Sequence, residues 1–167
     1  MNMNLATQTP LASATRLPQE LVESTTFLLK RLGFAAKDRT LAAYEETGLH
    51  PYHHAVLLVL DEGAPETQGS IADTLGYDRG QLVGLLDELE ERELVERKRD
   101  PNDRRRHVVR LTPAGKKMLR RLRTLSGQIE DDFLAPLDEE QREALHSLLL
   151  RLAETHEPRC APLKPSA

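Results

Sequence analysis

The chain has 167 residues, with 23 Lys or Arg against 27 Asp or Glu, for a formal net charge of -4. That length fits one domain with extensions, and the net acidity excludes indiscriminate binding to polyanions. The sequence is 39% apolar but only 4% aromatic and lacks Trp, which favours a Leu- and Ala-rich helical fold with an aliphatic core, and no apolar run reaches the roughly 18 residues of a membrane span.

Residues 1–17 are polar, rich in Thr and Ala and without period, so they read as a tail. They lack the basic start and apolar segment of a secretory signal. Pro18 suits the first turn of a helix, and Leu21, Leu28, Leu32, Ala35 and Leu41 mark one face of a long helix across 18–47. Gly48 is a left-handed stop. Pro51 opens the next helix, whose apolar run Ala55 to Leu60 predicts burial, and Asp61 to Pro65 breaks it. Thr67 caps a short helix carrying Ile71, Ala72 and Leu75, which Gly76 ends. Asp78 with Gln81 three residues later resembles a capping box. Leu82, Leu85, Leu86 and Leu89 then follow at i, i+3, i+4 and i+7, an amphipathic helix to about Arg92.

The next segment carries the strongest charge signal. Between Arg97 and Arg123 stand twelve Arg or Lys and only two acids, Asp100 and Asp103, a local formal charge of +10 on an acidic chain. Leu94 to Arg99 reads as a strand, Asp100-Pro101-Asn102-Asp103 as a turn, and His107 to Leu111 as a second strand. The tip is Arg104-Arg105-Arg106, which suits a narrow, negative DNA minor groove. Two short helices around a glycine turn, then a basic hairpin, is a winged helix-turn-helix over 51–111. Thr112-Pro113 opens another long helix with Leu119, Leu122, Leu125, Ile129 and Phe133, and Pro136 interrupts it. Asp138 with Gln141 caps a last helix bearing Leu145, Leu148, Leu149 and Leu152. Residues 157–167 hold three prolines and read as a frayed tail.

The fold expected is therefore mostly α with a small β-wing. A lone winged helix does not cover the apolar stripes of the first helix and of 113–156, so both are expected to pair with a second copy through Leu21, Leu28, Leu145, Leu148, Leu149 and Leu152. Two-fold symmetry sets two recognition helices about 34–36 Å apart, in successive major grooves. The alternative is that these helices wrap their own domain.

Two motifs now resemble the MarR family (multiple antibiotic resistance regulators), over roughly Pro18 to Glu154. One is Asp100-Pro101-Asn102-Asp103-Arg104-Arg105 followed by Val108-Val109-Arg110-Leu111-Thr112-Pro113-Ala114-Gly115. The other runs Gln68-Gly69-Ser70-Ile71-Ala72, Leu75-Gly76-Tyr77-Asp78-Arg79 and Leu85 to Glu90. The resemblance implies a homodimeric cytoplasmic transcription regulator on double-stranded DNA, often a repressor released by a small aromatic or phenolic effector in a cleft beside the dimer helices. Tyr44, Tyr52, His53 and His54 are candidates to border that cleft; satisfied residues in a hinge are the alternative. The chain departs from the family at Gly80, Gly84 and Glu88, where Ser, Thr or basic residues are usual.

Candidate DNA contacts follow. Arg104 enters the minor groove, oriented by Asp103, with Arg105 and Arg106 beside it. Arg79 and Gln81 open the recognition helix, where Arg pairs with guanine and Gln with adenine, although Gln81 also suits the cap. Gly80 permits close approach. Ser70 and Thr67 sit where a helix N-terminus meets phosphate, and capping alone also explains Thr67. Lys116, Lys117, Arg120, Arg121 and Arg123 are read as solvated surface. The spacing of His50 and His54 admits a metal, but no cysteine or acidic partner stands nearby, so no metal is expected. Cys160, the single cysteine, cannot form an internal disulfide, which fits a reducing cytoplasm, and it reads as incidental. No catalytic constellation, phosphate loop or dinucleotide motif appears, so neither enzymatic activity nor a cofactor is expected. A protein-binding winged helix and a redox- or metal-responsive regulator are the competing readings.

Overall fold

Capping chemistry decides where most helices begin in the computed structural model, which describes residues 16–62, 66–100, 103 and 107–160. By its internal contacts the chain forms two units, divided between Lys37 and Asp38. The first holds α1 (Gln19–Val22) and the start of α2 (Thr25–Glu45). The single helix expected across 18–47 is broken here. Glu23 leaves α1, and Ser24 restarts the chain with its hydroxyl accepting from Phe27 N–H at 3.4 Å. Serine competes with the helical backbone for hydrogen bonds, so it favours caps over interiors.

The second unit carries the rest. Helix α3 (Pro51–Asp61) starts with proline at its first position, where the missing N–H costs nothing. His50 Nδ1 accepts from Tyr52 N–H at 3.2 Å and His53 Nδ1 accepts from His50 N–H at 2.9 Å, a capping box built from two imidazoles. Strand β1 (Glu66–Thr67) leads directly into α4 (Gln68–Leu75). Thr67 Oγ1 accepts from Ser70 N–H at 3.2 Å, and Ser70 Oγ accepts from Thr67 N–H at 2.8 Å. Gly76 closes α4 at φ +66°, a conformation that penalises any residue with a Cβ. Helix α5 (Arg79–Glu91) is capped by Asp78, whose Oδ1 accepts from Gly80 N–H at 2.8 Å and Gln81 N–H at 3.2 Å.

The wing is β2 (Val95–Arg99) paired antiparallel with β3 (His107–Leu111), from Val95 opposite Leu111 to Arg99 opposite His107. Strand β1 pairs with the other edge of β3, so the sheet order is β1-β3-β2. Two residues are too short to show a period, so this third strand is not expected from sequence. Helix α6 (Pro113–Phe133) follows, with Thr112 Oγ1 accepting from Gly115 N–H at 2.9 Å. Asp138 and Gln141 form the expected capping box of α7 (Glu139–His156). Pro158–Cys160 is a 3-10 turn rather than frayed chain, and Arg159 donates to the Leu75 carbonyl at 3.4 Å. Cys160 is a free, exposed thiol.

The core gathers the inward stripe of α5 (Leu82, Leu85, Leu86, Leu89) with Val56, Leu57, Ile71, Val95, Val109, Leu119 and Leu122. Each fully buried leucine contributes roughly 1.5–3 kcal/mol by leaving water. Helices α4 and α5 are thereby held against α3 and the sheet, with the opposite face of α5 outward.

Candidate nucleic-acid interface

The outward face of α5 begins at its N-terminus, where Arg79, Gly80 and Gln81 are all exposed. Asp78 supplies its half of the cap, but among the described residues Gln81 does not return the reciprocal side-chain bond. A Cβ on Gly80 would come 3.0 Å from Asp78 Oδ1, whereas one on Gly84 would meet nothing within 4 Å. Ser70 and Thr67 are half-buried and engaged in the α4 cap. Thr67 also belongs to β1. Asp103 is exposed; Arg104, Arg105 and Arg106 lie outside the described residues.

Several cations of the basic stretch already have anionic partners. Arg97 pairs with Asp87, and its Nε lies 3.3 Å from Glu90 Oε2. Its backbone N–H donates to Glu90 Oε1 at 3.2 Å. Lys98 contacts Glu96 at 2.7 Å and Arg123 contacts Asp61 at 2.8 Å. The uncompensated charge is therefore smaller than a count along the chain indicates: among the described residues, Arg97, Lys98 and Arg123 serve internal pairs. Long-range partners such as Asp87 and Glu90 are invisible to such a count. Lys116, Lys117, Arg120 and Arg121 are exposed on α6.

The four aromatic and imidazole candidates divide into separate arrangements. Tyr44, 3% exposed, places its hydroxyl 2.6 Å from His54 Nδ1. A hydroxyl donating there implies the tautomer with its proton on Nε2. That Nε2 is buried and, among the described residues, has no hydrogen-bond partner. His53 lies instead against the recognition helix, its Nε2 2.9 Å from Glu88 Oε2. The distance is that of an ion pair, although the ring N–H is not well aligned. Sequence reading treated Glu88 only as a departure and missed this contact across 35 positions. Tyr52 is exposed and packs on His50 at 4.5 Å and edge-on against Tyr77 at 5.2 Å between ring centroids. A cavity of about 350 Å³ opens between the last turn of α2 and the middle of α6, lined by Ala43, Thr47, Arg121, Thr124 and Leu125.

Burial lowers the pKa of His53; the Glu88 carboxylate offsets part of this, while His50 and Arg92 add to it. Burial, then Arg123, lowers that of His54. Both rings resist protonation in the folded chain more than in the unfolded one, where 6.5 is the reference. Their contribution to stability is complete above that value and declines as pH falls below it toward the folded pKa. The melting temperature is expected to drop between about pH 7 and pH 5.5, with a shallower drop in His54→Gln. A wild-type melting temperature flat across that window would refute the linkage.

The candidate dimer residues are exposed within the single chain: Leu21 41%, Leu28 39%, Leu148 56%, Leu149 41% and Leu152 46%, with Leu145 half-buried. Among the described residues no helix is long and apolar enough to cross a membrane.

Comparison with known proteins agrees with this architecture. A profile of the MarR family matches residues 47–106. The uncharacterized HTH-type transcriptional regulator YcgE of Bacillus subtilis (strain 168) is 30% identical over 145 residues, covering 87% of this chain and 94% of that protein. The transcriptional repressor CouR, solved bound to a 23-mer DNA duplex, superposes with a TM-score of 0.73 at 36% identity, over 83% of this chain and 99% of the other. CouR from Rhodococcus jostii RHA1, solved bound to p-coumaroyl-CoA, superposes with a TM-score of 0.67 at 31% identity, over 81% and 96% of the two chains. The helix-turn-helix with its wing and these matches across nearly the whole length lead to one conclusion: the chain belongs to the MarR family of DNA-binding transcription regulators.

Proposed function

We propose that the protein is a cytoplasmic, ligand-responsive repressor that binds a pseudo-palindromic operator as a homodimer and catalyses no reaction. The observation that carries this reading is the outward face of α5, capped by Asp78 and set beside a cationic wing. Residues 51–111 form the reading head, while 18–47 and 113–156 supply the dimer contacts between the 1–17 and 157–167 tails. Arg79 and Gln81 contact base edges, Gly80 admits the DNA backbone, Ser70 and Thr67 meet phosphate through the start of α4, and Asp103 to Arg106 enter the minor groove. The exposed leucines of α2 and α7 support the second copy.

A small aromatic or phenolic effector is proposed at the Tyr44–His54 pair, with Tyr52 and His53 at its border. The buried, unpartnered His54 Nε2 supports an effector that offers an oxygen acceptor. The complex of CouR with p-coumaroyl-CoA supports the chemical class. Binding would favour a spacing of the two reading heads that no longer matches successive grooves.

Fluorescence anisotropy on duplex DNA from upstream of the protein's own gene, across a salt series and beside an unrelated duplex, tests the reading. Binding should be tighter to the upstream duplex and should fall steeply with salt. Arg104→Ala is expected to weaken it at least about tenfold, the worth of one charge-assisted contact, with an unchanged melting curve. Equal, weak binding to both duplexes would instead favour a winged helix whose partner is a protein.

A further inference from the structure

The outward stripe of α5 is unusual in what it lacks. Opposite the buried leucines run Gly80, Val83, Gly84 and Asp87, at i, i+3, i+4 and i+7. Two of these carry no side chain, and Asp87 is paired with Arg97. Over its first two turns this stripe therefore presents only one side chain, that of Val83, which is 40% exposed. Folding explains neither neighbour fully. Gly80 spares the Asp78 cap, but a Cβ on Gly84 would stand in open space, where glycine costs about 1 kcal/mol against alanine. Val83 and Arg79 also line a cavity of about 240 Å³ against the start of α4, with Gln68 and Gly69.

We propose that Val83 is a specificity-determining residue that reads a thymine through its C5-methyl group, and that Gly80 and Gly84 are small so that this contact can close. The proposal rests on the DNA-binding reading above and deepens it. In the major groove each base pair shows a distinct pattern, and the thymine methyl is its one apolar mark. A β-branched side chain with no polar atom rewards that methyl and leaves the donors and acceptors of other bases unpaired. With both flanking positions reduced to glycine, the helix axis can approach the base edges closely enough for so short a side chain to touch them. Arg79, one turn earlier beside the same cavity, would contact the neighbouring base pair.

Sites are selected from a randomised duplex pool with the full-length protein, and each enriched thymine is then replaced by deoxyuridine, which deletes only the methyl. One symmetric pair of thymines is expected to respond. Loss of one buried methyl weakens binding about fourfold, or about 0.8 kcal/mol, so loss at both half-sites weakens it about sixteenfold. Val83→Ala should bind the thymine duplex more weakly by a similar factor and should no longer distinguish thymine from deoxyuridine at that pair. Its circular dichroism should match the wild type, because the residue lies on the outer face. Gly84→Leu, which fills the gap, should weaken binding to the enriched site more than to random duplex. Enriched sites whose thymines are all insensitive to deoxyuridine, or equally sensitive in Val83→Ala, would overturn the assignment while leaving sequence-specific binding intact. Enrichment of no sequence at all would overturn the regulator reading, and this proposal with it.

Discussion

Gly115→Ala is expected to destabilise the chain by about 3 kcal/mol or more, near the upper end of what one added methyl group costs in a packed site. A Cβ at Gly115 would overlap the carbonyl oxygen of Leu94, which is backbone and cannot swing aside. That carbonyl is also committed elsewhere. It accepts from Thr112 N–H at 3.1 Å and from Thr112 Oγ1 at 3.2 Å, and Leu94 N–H in turn donates to Leu89 O at 2.9 Å. Relief of the clash must move the first turn of α6 away from the root of the wing, and those bonds would lengthen together. For a chain of this size the melting temperature is expected to fall by roughly 6–12 °C. Gly127 lies on the same helix, where a Cβ meets nothing within 4 Å. Gly127→Ala is therefore expected to stabilise by up to about 1 kcal/mol. The same substitution on one helix should thus have opposite signs, and a Gly115→Ala melt within a degree or two of wild type would sink the packing argument.

The second large effect concerns assembly. Leu148, Leu149 and Leu152 are 56%, 41% and 46% exposed on α7. Contiguous apolar surface of this kind is normally covered by a partner. Burial at roughly 25 cal/mol per Å² favours a second copy, and a guanidinium at the centre of that contact would have to lose its hydration without a counter-ion. Leu148→Arg is expected to convert a dimer into the 18.8 kDa chain in light scattering. DNA affinity should fall by at least about a hundredfold, because the two half-sites would no longer be bound by linked heads. Circular dichroism of the variant should remain helical. A variant that scatters as a dimer would move the interface away from α7.

The sequence was most readable where a single residue type has a single structural use. Pro51, Gly76, Asp78, Thr112 and the Asp138–Gln141 pair all sit at the helix ends expected of them, because caps are local chemistry over three or four positions. The wing strands were equally plain from the Asp100-Pro101-Asn102-Asp103 turn signal between them. Ser24 was harder, since its effect competes with a strong helical period on both sides. The pairings of Arg97 with Asp87 and Glu90, and of His53 with Glu88, were not readable, because they depend on how α3, α5 and β2 meet. At the site, the exposure of Arg79, Gly80 and Gln81 followed directly from the leucine period. Tyr44, Tyr52, His53 and His54 looked like one group along the chain, yet tertiary packing sends Tyr44 and His54 to each other, His53 to α5, and Tyr52 to Tyr77.

The ion pairs from Arg97 to Asp87 and Glu90 fasten the first wing strand to the C-terminal half of α5. A head fastened in this way works as a gauge of fixed jaw setting. For the proposed contacts, the distance along the duplex between the base pairs met by the helix and those met by the wing is then a constant of the protein. A single base pair inserted between them would turn one contact about 34–36° around the duplex relative to the other. Operators for this protein should therefore tolerate changes of letter far better than changes of length.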